Sequence, residues 1–196
     1  MNLLNKKDKI FIAGSSGMVG SAIKRKLKNL GFKNLIYPSR SELDLKNTDL
    51  VFRWFKDNKP EIVILAAAKV GGIFANNSYP VDFLLDNLKI QNNIIEGSWK
   101  NNVRRFLFLG SSCIYPKESN YPIKEDELLK SSLEKTNEYY ALAKISGIKL
   151  CQALRKQYKF DAISLMPTNL YGKGDNYHPY NSHVLPALID RFHSHK

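Results

Sequence analysis

The chain predicts a doubly wound α/β fold, a parallel sheet with helices on both faces. Three observations carry this. Short apolar runs alternate five times with helical patterns. The runs are mostly unbroken Ile, Val, Leu and Phe, as in strands buried on both faces. A glycine-rich turn follows the first run and opens the first helical pattern. With 196 residues, 43% of them hydrophobic and 24% charged, the chain has a globular composition and the length for one well-filled domain.

The elements follow in order. Lys9 to Ala13 reads as a buried strand. It enters Gly14-Ser15-Ser16-Gly17-Met18-Val19-Gly20, and a helix runs on to Leu30 and stops at Gly31. Gly14 suits a tight turn, Gly17 lets backbone approach a pyrophosphate, and Gly20 lets helix pack on strand. The spacing is GxxGxxG rather than GxGxxG, but strand before and helix after favour dinucleotide binding. The second strand, Asn34 to Tyr37, ends in Pro38-Ser39-Arg40. An NAD site wants an acid near this point. Here a guanidinium stands instead, which suits a 2′-phosphate and points to NADP. A plain surface pairing of Arg40 with Glu42 is the other reading.

A helix spans about Thr48 to Asn58, and a third strand Glu61 to Ala68, whose small last residues let a ligand lie on the backbone. Gly71-Gly72-Ile73 reads as loop, and Pro80 opens a long helix that ends near Asn101. The fourth strand, Arg105 to Leu109, runs into Gly110-Ser111-Ser112-Cys113-Ile114-Tyr115-Pro116. Ligands of open parallel sheets bind beyond such strand ends. Lys117 to Thr136 reads as loop, and a helix then continues to about Tyr158. The fifth strand is Asp161 to Met166. A last helix begins near Val184, and the chain stops at Lys196.

Charge and cysteine content bound the function. The net charge is +12, but the basic residues are scattered, and the densest group, Lys24, Arg25, Lys26 and Lys28, reads as the wet face of the first helix. No RNP-like strand or zinc-knuckle spacing accompanies it, so no nucleic acid is expected. No apolar run has transmembrane length, so no membrane is expected either. Cys113 and Cys151 make no disulfide framework, which points to a reducing, cytoplasmic setting.

Tyr140 and Lys144 are four apart in a stretch of good helix formers, so the two side chains stack on one face. An ammonium beside a phenol favours the phenolate, which is how a tyrosine becomes an acid or base. Tyr139 has Ala143 as its partner at that spacing and no lysine.

The glycine-rich turn, Ser111 four residues before Tyr115, and Tyr140-x-x-x-Lys144 together resemble the extended short-chain dehydrogenase/reductase superfamily. Ala66 to Ile73, Asn76 to Pro80, Gly110 to Pro116, Met166 to Gly172 and Asn181 to Val184 are similar to the GDP-L-fucose synthase family within it. These are 3,5-epimerase/4-reductases of GDP-4-keto-6-deoxy-D-mannose, and the resemblance covers nearly the whole chain. It implies a Rossmann-type sheet and NADPH as cofactor. Cys113 is then a base and His183 an acid for inversion at C3 and C5, which the 4-keto group acidifies. Tyr140 protonates the alkoxide formed at C4, Lys144 lowers the tyrosine pKa and holds the nicotinamide ribose, and Ser111 hydrogen-bonds the carbonyl oxygen. The resemblance places Gly14 to Gly20, Arg40, Asp44, Leu45, Leu109, Gly110, Ser111, Ser112, Pro167, Thr168, Asn169 and Leu170 at the cofactor. His183 joins that set, and Arg191 reaches the substrate.

Taken alone, Cys113 also reads as a small buried residue, His183 as a surface residue at a helix start, and Lys69 as a phosphate contact or a solvated charge. Ser16 stands where the family commonly has an arginine, which leaves the 2′-phosphate preference to Arg40. The resemblance further implies a cofactor domain over residues 1–166. Residues 167–196 then begin a smaller C-terminal substrate domain that family members carry well past Lys196. A homodimer through the helices near Leu84 to Trp99 and Thr136 to Tyr158 is implied too. Another nucleotide-sugar epimerase or reductase, or a non-catalytic NADP-binding module, is the alternative.

Overall fold

The computed structural model describes residues 4–178 and 181–194. Five parallel strands form one sheet: β1 (Ile10–Ala13), β2 (Leu35–Ile36), β3 (Ile62–Leu65), β4 (Arg105–Leu109) and β5 (Ala162–Leu165), in the order β2-β1-β3-β4-β5. The helices are α1 (Met18–Asn29), α2 (Thr48–Asn58), α3 (Ile73–Ser78), α4 (Pro80–Lys100), α5 (Glu138–Tyr158) and α6 (Val184–Ser194). The doubly wound sheet is the one predicted. From β1 the chain steps outward to β2 and then crosses back to β3 on the other side. The carboxyl ends of β1 and β3 therefore flank the switch point, where such sheets hold ligands.

Alternation along the strands makes two cores. Phe11, Val63, Phe106 and Phe108 face one way and pack against Phe55 of α2, Ile94 and Ile95 of α4 and Ile148 of α5. Ile10, Ile12, Ile62 and Ile64 face the other way, against Leu27 of α1 and Phe32. The register aligns Ile12, Ile64, Leu107 and Ile163 in one row. The row is buried at β1 and β3 but open at β5, where Ile163 is 40% exposed.

Local chemistry sets the element ends. Gly31 adopts φ +83 just beyond α1, as its place in the sequence predicts. Asn47 caps α2 by accepting from the Leu50 amide at 3.0 Å. Pro80 is the first residue of α4, where its missing N–H costs nothing. Two differences stand out. The third strand ends at Leu65 rather than Ala68, because β1 stops at Ala13 and leaves Ala66 to Ala68 no neighbour to pair with beyond the Ala66–Ala13 hydrogen bond. Ile73, read as loop with Gly71 and Gly72, opens α3, whose six residues are too few to show a helical period.

Candidate active site

The glycine-rich turn is built from close approaches. Gly14 sits at φ +88, and a Cβ there would lie 2.6 Å from the Ala67 nitrogen. A Cβ on Gly20 would lie 2.1 Å from the Gly14 carbonyl oxygen, so α1 rests directly on the turn. Gly17 differs. Its φ is an ordinary −74, and its Cβ would meet only the Gly14 oxygen, at 3.5 Å. Gly17 is the residue before α1, no side chain caps that helix, and its first turn carries no acid. The leading amides thus have neither a side-chain cap nor a nearby acid, an arrangement that suits an anion such as a pyrophosphate.

The far rim of the crevice follows β2. Glu42 accepts from the Ser39 hydroxyl and the Ser39 amide, each at 2.7 Å, and these bonds hold its carboxyl below the usual range. The alternative Arg40–Glu42 pairing is therefore not formed. Arg40 is exposed and makes no ion pair among the described residues. Asp44 accepts from the Lys46 amide at 3.0 Å, and the Leu45 carbonyl accepts from Asn93 at 2.9 Å. Ser15 is buried and Ser16 exposed; Met18 and Val19 open α1.

At the end of β4, the Gly110 amide donates to the Leu165 carbonyl at 2.8 Å and the Ser112 amide to the Pro167 carbonyl at 3.1 Å. These bonds hold Leu109 to Ser112 beside the stretch after β5, where Thr168, Asn169 and Leu170 are exposed. Ser111 caps a single 3₁₀ turn, Ser112 to Ile114, by accepting from the Cys113 amide at 3.3 Å. That turn brings Cys113 to the corner occupied by Tyr140.

Tyr140 and Lys144 share one face of α5, while Tyr139 is exposed, as the spacing predicts. Lys144 is only 4% exposed. Its ammonium donates to the Leu109 carbonyl at 2.8 Å and sits 5.7 Å from the Tyr140 ring centre. Burial pulls its pKa down to about 8. Tyr140 moves the opposite way from the expectation that Lys144 lowers it. Burial pushes the phenol up to about 12, the nearby Cys113 adds to the rise, and a hydrogen bond with the Ser111 side chain opposes it. The reason is geometric: the ammonium is spent on the Leu109 carbonyl, and desolvation of the phenolate outweighs what remains.

Ser111, Cys113, Tyr140 and Lys144 thus converge. His183 and Arg191 lie elsewhere on the chain, His183 exposed immediately before α6 and Arg191 exposed in its last turn. Lys69, open between two readings, pairs with Asp82 at 2.5 Å. Cys151 is buried in the core. Sequence reasoning missed Asn87 and Gln91 of α4, each 2% exposed. Asn87 accepts from the Lys69 amide at 2.8 Å and donates to the Lys69 carbonyl at 3.0 Å, which pins the loop after β3. Gln91 donates to the Ala143 carbonyl at 2.6 Å, beside Lys144. Their signal was amides four apart on the inward face of a helix. Among the described residues there is no group of three His, Cys, Asp or Glu that could hold a metal, and no helix long and apolar enough to cross a membrane.

The comparisons with known proteins agree with this fold. Residues 10–196 match the NAD dependent epimerase/dehydratase family. The chain belongs to that family. Within it, the chain is 58% identical over 195 residues to GDP-L-fucose synthase 1 of Arabidopsis thaliana, covering 100% of this chain and 60% of the relative. It is 54% identical over 187 residues to the GDP-L-fucose synthase of Escherichia coli K12, covering 95% and 58%. A GDP-D-glycero-L-gluco-heptose synthase from Campylobacter jejuni, solved in the presence of NADPH, is 40% identical with a TM-score of 0.93, covering 97% and 56%. This family member therefore spans about 60% of the length of the curated relatives it matches.

Proposed function

We propose that the chain carries the cofactor and proton-transfer machinery of a GDP-L-fucose synthase, which epimerises GDP-4-keto-6-deoxy-D-mannose at C3 and C5 and reduces it at C4. The observation that carries the reading is the convergence of Ser111, Cys113 and Lys144 on Tyr140 at the carboxyl end of β4. Identities of 54% and 58% to GDP-L-fucose synthases, against 40% to a GDP-heptose synthase, support the choice of substrate.

The residues present fit NADPH, with the Gly14 to Gly20 turn at the pyrophosphate and exposed Arg40 at the 2′-phosphate. Bound NADPH supplies the hydride for C4. A phenol held at about 12 is protonated at neutral pH, so Tyr140 stands ready as an acid. It gives its proton to the oxygen at C4 as that oxygen becomes an alkoxide, and Ser111 donates a hydrogen bond to the same oxygen. Lys144, with a pKa of about 8, is mostly charged at neutral pH and favours the phenolate left behind. Cys113 removes the acidified proton at C3 or C5, and His183 returns one from the opposite face.

In the same proposal, residues 1–166 hold the dinucleotide and residues 167–196 begin the substrate side, with Arg191 on the sugar nucleotide. Exposed Val81, Leu85, Tyr139 and Leu142 on α4 and α5 support a homodimer through those helices. Two free cysteines support a reducing, cytoplasmic setting.

Calorimetry on this chain with NADPH and NADH tests the reading first. Binding that favours NADPH is expected, and a folded chain that binds neither overturns it. In D₂O with GDP-4-keto-6-deoxy-D-mannose, Tyr140→Phe should block reduction while deuterium still enters C3 and C5. Cys113→Ser should do the reverse, and equal loss of both steps in both variants would defeat this division of roles.

A further inference from the structure

Gly71, Gly72 and Asn76 form a unit that joins the Tyr140 corner to the segment ahead of His183. Gly72 has φ −66, a value any residue adopts, so its conformation does not call for glycine. Its surroundings do: a Cβ there would lie 2.4 Å from the Ser182 carbonyl oxygen. The Gly72 amide donates to the Asn181 carbonyl at 3.3 Å, so chain lies flat on chain. On its other side, a Cβ at Gly71 would meet the Phe83 ring at 3.1 Å. Phe83 in turn packs edge-on against Tyr140, with ring centres 6.3 Å apart. The two glycines are thus the spacer between the shelf under Tyr140 and the residues that lead into His183.

Asn76 fixes that spacer. It is 7% exposed, and its side-chain nitrogen donates to the Gly71 carbonyl at 2.8 Å and to the Gly72 carbonyl at 3.1 Å. Its own amide also donates to the Gly72 carbonyl, at 3.1 Å. Its side-chain oxygen and the Ser182 hydroxyl are buried without a partner among the described residues. Two unsatisfied buried groups oppose the docking, so the bonds Asn76 makes to both glycine carbonyls matter to its geometry.

We propose that Asn76 and Gly72 are positioning residues for His183, setting its distance from the Tyr140 corner. The proposal rests on the epimerase reading above, in which His183 returns a proton to the sugar. Acid–base steps are sensitive to such spacing, and a shift of about 1 Å costs about a hundredfold in rate.

The test uses Gly72→Ala and Asn76→Asp in this chain. Asn76→Asp keeps the shape and the backbone bond to Gly72 but removes both side-chain bonds to the glycine carbonyls. The ring resonances of His183, assigned by NMR in the presence of NADP⁺, should shift in both variants. NADPH affinity and the Tyr140 resonances should stay at the wild-type values. Unchanged His183 resonances in either folded variant overturn the inference. Should Gly72→Ala fail to fold, Asn76→Asp decides alone, and Asn76→Ser, which loses reach to the carbonyls, replaces either. Deuterium entry at C3 and C5 is the second arm. It should fall about a hundredfold in the variants while hydride transfer to a keto sugar persists. A wild-type chain that binds NADPH but exchanges no deuterium would sink the epimerase reading. The His183 resonances would still decide the positioning.

Discussion

The two halves of the crevice are made by opposite means. The turn from Gly14 to Gly20 is shaped by side chains that are absent, and its contacts are backbone on backbone. The corner at Ser111, Tyr140 and Lys144 is shaped by polar side chains that are present, Lys144 buried and the other two half-buried, each with a displaced pKa or a spent hydrogen bond. The first half is fixed at Gly14 and Gly20, where nothing larger fits. The second is held at a cost in stability, because a charged lysine is kept from water. Binding and chemistry therefore answer to different substitutions.

The largest effect belongs to the turn. Gly20→Ala puts a methyl group 2.1 Å from a backbone oxygen that cannot move without lifting α1 from the sheet. A loss of about 3 kcal/mol or more is expected, with dinucleotide binding lost as well. Denaturant titration checks it. A stable Gly20→Ala chain that binds NADPH would show that the turn is looser than its contacts imply.

Lys144→Met tests the other half and should act in the opposite direction on stability. A lysine held at about 8 against its ordinary 10.5 destabilises the fold while it is charged. The penalty is full below pH 8. It fades as pH rises towards 10.5, because there the unfolded chain still binds a proton that the folded chain has released. Removing the ammonium relieves about 3 kcal/mol at neutral pH, and leaving the Leu109 carbonyl bare returns about 1. A net gain of about 2 kcal/mol is expected at pH 7, vanishing near pH 10, together with loss of reduction. Melting temperatures across that range measure it. Tyr140 adds a separate trend: its folded value of about 12 exceeds its ordinary 10, so stability falls between pH 10 and 12.

This contrast also explains what was legible in the sequence. The backbone half was, because Gly14, Gly17 and Gly20 bear on the strand-to-helix turn directly. So were the five strands and the helix carrying Tyr140, whose patterns are long or strongly apolar. The direction of the Tyr140 shift was not, since it depends on burial and on Lys144 turning to Leu109, a contact between residues far apart in sequence. Asn87 escaped for the same reason, as its partner is the backbone of Lys69, 18 residues away. Asn76 bonds to Gly71 and Gly72 close by, but from a short helix that shows no inward face in the sequence. Likewise α3 is held by its neighbours rather than by a period of its own.

A smaller effect is expected at the rim. Arg40→Leu removes an exposed guanidinium with no ion pair to lose, so stability should hold within about 0.5 kcal/mol. The preference for NADPH over NADH should fall about tenfold, the worth of one charge-assisted contact to a phosphate. Competition between the two nucleotides measures it. An unchanged preference would move the 2′-phosphate away from the end of β2 and leave the Ser39 to Asp44 segment without that role.

Gly17→Ala is the finest probe, because Gly17 and Gly20 lie in one turn under opposite constraints. A methyl group on Gly17 meets only the Gly14 oxygen, at an ordinary 3.5 Å, and φ −74 suits alanine. Nothing in the folded chain resists the change, and alanine reduces the freedom of the unfolded chain, so stability should stay level or rise by a few tenths of a kcal/mol. The methyl group would stand where a pyrophosphate approaches the leading amides of α1, so NADPH affinity should fall several-fold. A variant that is both stable and weak in binding identifies Gly17 as glycine for the ligand's sake, with Gly20 glycine for the fold's. If Gly17→Ala binds NADPH as well as the parent, the pyrophosphate does not rest on this turn. The glycine pattern then describes only how α1 meets β1.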